Sequence, residues 1–260
     1  MVYREGTLFK RKKKLGQHFL IDGEVILEIY RELEKINRNT IVIETGAGYG
    51  TITQQICKLS NLIIAVEIDR ELCRILKSRL RDQENVDIVC TDVLRVKFPK
   101  DSIIVGAPPY SITTDLLTKC IIHNVKAAIL VLQREVCEKI TCRGKKGKFS
   151  YLPRFISSFA EISLGREVRR SSFFPQPSVN SQIVTIKVNK RRGIQKNVRE
   201  EYLAFLRELF KRFKKRKLKE VIKAGLISHE TIEREQITKR IFEISENQLI
   251  DLFLRKLNKK

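Results

Sequence analysis

The sequence predicts an α/β protein whose open sheet binds its ligand along one edge. Short apolar, mostly β-branched segments alternate with segments of helical spacing from residue 41 to residue 132. The first of these apolar segments ends in a glycine-rich turn, and three of them end in or next to a carboxylate. The length of 260 residues suffices for one such domain and a smaller appendage.

The glycine-rich turn follows the first predicted strand, Ile41–Ile43. Glu44 ends that strand, and Gly46, Gly48 and Gly50 occupy every second position before the next helix. Glycine lets the backbone turn sharply and lie against a ligand. A pyrophosphate favours bare amides without a nearby anion, so Glu44 favours a ligand with a cationic part, such as the sulfonium of S-adenosylmethionine. An ordinary strand-to-helix turn is the alternative for this segment taken alone.

Acidic residues also end the next two predicted strands. Glu67 follows residues 62–66 and lies 21 positions beyond Gly46, a distance at which α/β folds place an acid on ribose hydroxyls. Asp92 follows the strand Val86–Cys90 and is placed to accept a hydrogen bond from an adenine amine. Both positions extend the prediction of a nucleoside-containing ligand.

Two stiff loops each carry prolines and an aromatic residue. Residues 102–110 form a strand that ends in Pro108, Pro109 and Tyr110, and residues 172–181 precede the last strand, Ile183–Val188. Because ligands bind at the carboxyl edge of such sheets, Tyr110 is expected to stack a planar substrate. Two loops of this kind are what a pocket for a flipped base requires.

The C-terminal part is predicted to be helical and basic. We expect a ligand-binding domain over residues 1–190 with a basic N-terminal arm, a linker at Lys190–Gly193, and a helical RNA-binding domain over residues 191–260. Helices are predicted behind the N-cap residue Asp22 and over residues 51–59, 70–80, 112–122, 201–213, 215–224 and 245–257.

The net charge of +22 predicts a polyanionic partner, most simply nucleic acid. The runs expected to meet phosphate are Arg11–Lys14, Arg143–Lys148 and Lys211–Lys217. The sequence has no run of about 18 apolar residues, so we expect no membrane insertion and a cytoplasmic protein. Its six cysteines include no Cys-x-x-Cys pair, which predicts reduced core thiols and no metal site.

A series of motifs runs in order from Leu15 to Val188 and continues loosely into the helical tail. They are Gly16-Gln17-His18-Phe19-Leu20, Glu44-x-Gly46-x-Gly48-x-Gly50-Thr51, Glu67-x-Asp69, Asp92, Val105-Gly106-x-x-Pro109-Tyr110, Gln133-x-Glu135-Val136 and Phe173-x-Pro175-x-Pro177-x-Val179-x-Ser181. Together they resemble the small-subunit rRNA adenine dimethyltransferase family.

This resemblance implies a Rossmann-like seven-stranded methyltransferase sheet with a small C-terminal helical domain. It implies S-adenosyl-L-methionine as cofactor and methylation of the N6 amines of two adjacent adenosines near the 3′ end of small-subunit rRNA. The implied partners are that rRNA and the pre-ribosomal small subunit, and we expect a monomer. The cofactor-binding residues would be Gln17, His18, Leu20, Glu44, Gly46, Gly48, Glu67, Ile68, Asp92, Val93 and Ala107. The residues at the target base would be Ala107, Pro108, Tyr110, Phe173 and Phe174.

One position departs from the family pattern. The family's fourth strand ends in Asn-Leu/Ile-Pro-Tyr, whereas this chain has Ala107-Pro108-Pro109-Tyr110. The family's asparagine carbonyl accepts a hydrogen from the target amine, and Ala107 has no such acceptor. Losing one hydrogen bond of this kind costs roughly 1 to 3 kcal/mol, which corresponds to about ten- to a hundredfold in rate.

Three alternatives therefore stand beside the dimethyltransferase. Ala107 favours a ribosome assembly factor that keeps the fold and binds RNA without catalysis. A nicotinamide-dependent oxidoreductase would share the strand-to-helix turn, but it predicts Gly-x-Gly-x-x-Gly and does not explain Pro109-Tyr110. A methyltransferase that acts on large-subunit rRNA shares most of the motifs.

Overall fold

The computed structural model describes residues 2–4, 7–9, 17–36, 39–141, 150–189, 194–227 and 237–257. Several features of the sequence analysis lie outside these described residues. They are Gly16, the basic runs Arg11–Lys14 and Arg143–Lys148, the linker Lys190–Gly193 and Cys142.

Strands and helices alternate through the first two thirds of the chain, and helices follow. The strands are β1 Val2–Arg4, β2 Thr7–Phe9, β3 Phe19–Leu20, β4 Val42–Thr45, β5 Ile63–Glu67, β6 Val86–Cys90, β7 Ile103–Gly106, β8 Ala127–Gln133, β9 Ala160–Val168, β10 Phe173–Phe174 and β11 Ser181–Val188. The α-helices are α1 Gly23–Ile36, α2 Thr51–Ile56, α3 Arg70–Arg79, α4 Thr113–Ile122, α5 Arg134–Thr141, α6 Tyr151–Phe159, α7 Lys196–Phe213, α8 Leu218–Lys223 and α9 Glu246–Leu257.

Seven strands form one sheet in the order β6-β5-β4-β7-β8-β11-β9. The five strands from β6 to β8 are parallel, and β11 is antiparallel to β8 with Ser181 opposite Gln133. The α/β class with a Rossmann-like seven-stranded sheet is therefore confirmed. Since the parallel strands share one direction, their carboxyl ends, including Glu67 and Gly106, lie along one edge.

The central strands are buried on both faces, which explains their continuous apolar sequences. Val42 and Ile43 in β4 and Ile103 in β7 are fully buried. On one face, the apolar stripe of α1, with Ile29 and Leu33, packs into the same core cluster as β4, β7 and α2. Asp22 begins α1 as predicted, because its carboxylate accepts the Glu24 N–H at 3.1 Å.

The described chain forms two compact units. The first contains residues 1–138 and 161–189, and the second contains residues 139–160 and 190–260. Residues 139–160, which the sequence predicts in the first domain, group with the C-terminal helices in the structure. An aromatic cluster explains this grouping, because Phe155 and Phe159 of α6 contact Tyr202 of α7 at ring-centroid distances of 6.3 and 5.7 Å.

The second unit is also held by a polar contact between distant segments. Arg154 forms a 3.0 Å ion pair with Glu246 and donates to the carbonyl of Phe242 at 2.8 Å. Tyr202, at the centre of the aromatic cluster, shares a 3.1 Å hydrogen bond with the Ser158 hydroxyl. None of the helices within the described ranges is long and apolar enough to cross a membrane.

Buried thiols account for most of the described cysteines. Cys57, Cys73, Cys120 and Cys137 are buried as expected, but Cys90 is exposed. Cys90 ends β6, which is the edge strand of the sheet, and an edge strand has no neighbour on its outer side.

Candidate active site

A cavity at the carboxyl edge of the sheet brings most of the predicted site residues together. Lining it are Gln17, His18, Gly46, Glu67, Ile68, Asp92, Val93, Ala107, Pro108, Tyr110 and Phe173. Leu20, Glu44 and Gly48 line a smaller adjoining pocket that shares His18, Gly46 and Ala107 with the cavity. Phe174 lines neither one.

The glycine-rich turn takes the backbone conformation that its residue types predict. Gly46 and Gly48 have φ values of 66° and 57°, which side chains of L-residues rarely adopt. A Cβ on Gly48 would also lie 3.1 Å from the Phe19 ring. At the end of the neighbouring strand, a Cβ on Gly106 would lie 2.5 Å from the Thr45 carbonyl oxygen. The glycines therefore let β4, β7 and the turn approach one another closely beneath the cavity.

Glu67 anchors this turn to the end of β5. Its carboxylate accepts the backbone N–H groups of Gly48, Ile68 and Asp69, each at 2.9 Å. Burial raises the pKa of Glu67, and the three amides oppose that rise because they stabilise the charged form. A carboxylate offers about four acceptor positions, so one is left for a ligand in this conformation.

Glu44 is a second buried acid, but it has a different environment. Only 1% of its surface is exposed, and its carboxylate accepts the Thr53 hydroxyl at 2.5 Å. The pKa of Glu44 is raised from 4.5 to about 8, mainly by burial; the Thr53 hydrogen bond opposes this rise and the charge of Glu67 adds to it. Glu44 is therefore protonated at neutral pH, and a cation in the adjoining pocket would favour its ionised form.

Asp92, Ile68 and Val93 form the side of the cavity nearest β5 and β6. Asp92 accepts the Leu94 N–H at 2.9 Å through one carboxylate oxygen, Oδ1. The Ile68 side chain is 52% exposed although it is large and apolar. These residue types fit an adenine ring whose faces lie beside Ile68 and Val93 and whose amine points toward Asp92. Together, the acidic side chains Asp92, Glu67 and Glu44 suit an adenosine that carries a cationic group.

The loop after β7 forms the opposite wall. Pro108 carries a backbone carbonyl that accepts no hydrogen bond from the described part of the chain. Tyr110 begins a short 3₁₀ helix, and its hydroxyl lies 3.4 Å from the Ser181 hydroxyl. Burial raises the pKa of Tyr110, so its phenol stays neutral.

His18 is the aromatic residue that faces Tyr110. The two rings are stacked with centroids 5.8 Å apart and planes inclined by 24°. The Nδ1 atom of His18 lies 2.7 Å from the carbonyl oxygen of Pro175, so Nδ1 carries the hydrogen and donates it. Phe173, expected at the target base, lines the cavity but is only 4% exposed and packs in the core. Phe174 packs with the cluster that contains Tyr49.

Sequence reasoning missed three polar residues around this site. Thr53 binds Glu44, Ser181 contacts Tyr110, and the buried Thr45 hydroxyl has no partner among the described residues while Thr45 lines the cavity. Thr53 follows Glu44 by nine positions, and only the pairing of α2 with β4 brings them together. Ser181 belonged to a quoted motif, but its contact with Tyr110 spans 71 positions.

The fold and the site together define a class of protein. A parallel sheet with one antiparallel strand, a glycine-rich turn after β4 and acids after β5 and β6 are the features of a Rossmann-like S-adenosylmethionine-dependent methyltransferase. A family model described as ribosomal RNA adenine dimethylase matches residues 8–255. The chain belongs to this family. It is therefore an S-adenosylmethionine-dependent enzyme that methylates adenines of ribosomal RNA.

Individual relatives agree with the family model. The chain is 31% identical over 245 residues to a ribosomal RNA small subunit methyltransferase A from Thermotoga petrophila, with 94% of this chain and 91% of that protein covered. It is 33% identical over 218 residues to a protein of the same name from Listeria innocua, with 79% of this chain and 73% of that protein covered.

Solved structures show the same fold along the chain. A dimethyladenosine transferase from Plasmodium falciparum has a TM-score of 0.79 at 25% identity, with 92% of this chain and 98% of that chain covered. The 23S rRNA methyltransferase ErmE has a TM-score of 0.63 at 23% identity, with 91% of this chain and 98% of that chain covered. The similarity to ErmE concerns the fold.

Proposed function

We propose that this enzyme methylates the N6 amines of adjacent adenosines near the 3′ end of small-subunit rRNA, within the pre-ribosomal small subunit. The observation that carries the proposal is the convergence of Glu67, Asp92 and the 107–110 loop on one cavity. The name shared by the Thermotoga and Listeria relatives favours the small subunit. No cluster of three metal-ligating side chains occurs among the described residues, and the proposed reaction requires none.

The cofactor half of the cavity lies between the glycine turn and β6. We assign Glu67 to the ribose diol, Asp92 to the adenine amine, and Ile68 with Val93 to the faces of the adenine ring. Gly46 lets the backbone approach the ligand, and Glu44 lies in the adjoining pocket, where its ionised form would stabilise a cationic group. When bound, S-adenosylmethionine supplies a methyl group on a positively charged sulfur.

The substrate half lies between His18 and the 107–110 loop. The lone pair of an adenine amine is delocalised into the ring, so the enzyme must direct it out of the ring plane. We assign the free carbonyl of Pro108 to one amine hydrogen and the Tyr110 ring to one face of the base. In this conformation His18 already stacks on the Tyr110 ring, so a base that lies between these two rings would require one of them to move. With the amine held by these residues, its nitrogen would bond to the methyl carbon as the methyl–sulfur bond breaks, and the amine would then release one proton to solvent.

The alanine at position 107 raises a second candidate function, that of an assembly factor without catalysis. Its methyl group lines both the cavity and the adjoining pocket, where the family has an amide acceptor. A chain that had lost catalysis while keeping the fold would bind RNA and assist assembly. We favour the enzyme because the Pro108 carbonyl remains free to accept one of the two amine hydrogens.

Methyl transfer to purified subunits tests the proposal. The protein is incubated with labelled S-adenosylmethionine and with small or large subunits that lack adenine methylation. We expect label in small-subunit rRNA and none in large-subunit rRNA. Label in the large subunit alone would overturn the assignment of substrate, and label in neither would favour the assembly factor. Tyr110→Ala, which removes the stacking ring, is the negative control.

A further inference from the structure

A polar cleft lies at the end of β9, outside the cavity described above. Its volume is about 580 Å³. The charged and polar residues that line it include Asp22, Arg166, Glu167, Arg169, Ser171 and Asn180. None of these residues is a specified position of the motifs that identify the family, although Asn180 lies between Val179 and Ser181 of the last motif.

The two carboxylates of this cleft are occupied by partners within the protein. Asp22 accepts the Ser172 hydroxyl at 2.7 Å and the Glu24 N–H at 3.1 Å, and the Ser172 hydrogen bond is the main cause that lowers its pKa. Glu167 accepts the Asn180 side-chain amide at 2.9 Å and lies 3.5 Å from Arg134. Each of these acids also has an arginine near it, Arg166 near Asp22 and Arg134 near Glu167.

The arginines are less constrained than the acids. Arg166, Arg169 and the adjacent Arg170 are all exposed. Arg166 lies close enough to Asp22 to contribute to the lowering of its pKa. Within the described ranges, Arg169 and Arg170 form no ion pair. Three guanidinium groups within five positions are therefore exposed beside the cleft. The acids Asp22 and Glu28 lie beside Arg166, whereas Arg169 and Arg170 have no acid paired with them in the described ranges.

The three arginines, Arg166, Arg169 and Arg170, lie near the carboxyl edge of the sheet, where the candidate active site is. Contacts of Glu161 with Asn189 and of Glu167 with Asn180 show that the end of β9 lies beside the start of β11. The start of β11 is at the carboxyl edge, because Ser181 pairs with the last residue of β8. The short 3₁₀ helix Arg170–Ser172 then leads directly into Phe173, which lines the cavity.

We propose that Arg166, Arg169 and Arg170 bind backbone phosphates of the RNA strand that carries the target adenosine. This inference rests on the proposed function. A guanidinium presents a planar fork of donors that matches phosphate oxygens. Such contacts fix the register of a nucleic acid without reading its sequence. Here they would hold the strand at the edge on which the target base must enter.

The test compares two double variants that each remove two positive charges. R166A/R169A alters the cluster, and K58A/K100A alters exposed lysines in the loops before β5 and β7, at the opposite edge of the sheet. The probe is an RNA fragment with the 3′-terminal sequence of small-subunit rRNA, and its affinity is measured without cofactor over a range of salt concentrations. We expect R166A/R169A to bind the RNA about tenfold more weakly. The slope of log affinity against log salt concentration should become shallower by roughly one unit for each phosphate contact that is lost. K58A/K100A should stay close to the wild type.

Kinetic measurements test whether the arginines act on RNA binding or on the chemical step. In R166A/R169A the KM for RNA should rise by a similar factor, while kcat at saturating RNA is retained, because the reacting groups are untouched. R169K keeps the charge but lacks the fork, so its affinity should fall between those of the wild type and R169A.

Several results would overturn the inference. Wild-type affinity and salt slope in R166A/R169A would do so, and so would equal losses in the two double variants. If R166A/R169A does not fold, judged by its thermal unfolding, the comparison of R169K with R169Q decides in the same way. Failure of the proposed function is recognised separately: the wild type would then transfer no methyl group, whatever the binding of the variants.

Discussion

Replacing Glu44 with Gln should stabilise the protein at neutral pH. Glu44 is buried, and its pKa is raised from 4.5 to about 8. Between these two values the folded protein keeps a proton on Glu44 that the unfolded chain has released. A raised carboxyl pKa therefore lowers the free energy of unfolding as the pH rises through this window.

The size of this effect follows from the pKa values. Each unit of pKa difference corresponds to about 1.4 kcal/mol, so the wild type should lose about 3 kcal/mol between pH 4.5 and pH 7 through Glu44. Gln is neutral at every pH and keeps an oxygen that can accept the Thr53 hydroxyl. The Glu44→Gln variant should lack this loss and be more stable than the wild type by a few kcal/mol at pH 7.

Urea unfolding at pH 4.5, 6, 7 and 8 measures the prediction. The difference between Glu44→Gln and wild type should be small at pH 4.5 and should increase up to about pH 8. Asp87→Asn is the control, since Asp87 is an exposed acid on the edge strand β6, and its profile should follow the wild type. A difference between Glu44→Gln and wild type that does not change with pH would refute the reasoning.

Three further predictions concern the two halves of the site and the basic helices. Ala107→Asn should raise single-turnover methyl transfer by about ten- to a hundredfold, because it supplies a hydrogen bond worth roughly 1 to 3 kcal/mol in the transition state; equal rates in both forms would remove the role given to this position. Glu67→Ala should weaken cofactor binding, measured by calorimetry, by a few kcal/mol at most, and unchanged affinity would contradict the ribose assignment. Neutralising the exposed cations of Lys211–Lys217 should weaken RNA binding and flatten its salt dependence, whereas a salt-insensitive affinity would show that phosphate contacts do not dominate.

The sheet and its ligand edge were predictable because both depend on local patterns. Apolar runs such as Ala127–Leu132 specify buried strands, and parallel strands bring their carboxyl ends to one edge whatever the loops do. Placing Glu67 and Asp92 in one cavity needs no more than this rule. The three amides that hold Glu67 were not predictable, because they depend on how closely the Gly48 turn approaches β5.

The segments that the sequence analysis missed depend on distant partners. Helix α6 has apolar residues at helical spacing, but Pro153 and the neighbouring basic loop obscure it, and its burial comes from α7. Strand β9 lies at an edge of the sheet, and only its two end residues are buried. Its sequence therefore has no apolar run from which a strand could be predicted. The ring that stacks on Tyr110 is that of His18, and this pairing likewise depends on how separate loops meet.

The most direct test of the account is to identify the product nucleoside. Small subunits that lack adenine methylation are incubated with the wild-type protein and S-adenosylmethionine, and the rRNA is then digested and analysed by mass spectrometry. We expect N6,N6-dimethyladenosine at two adjacent positions near the 3′ end of the small-subunit rRNA. Unmodified adenosines after binding to the subunit, or methylation of another atom or base, would contradict it.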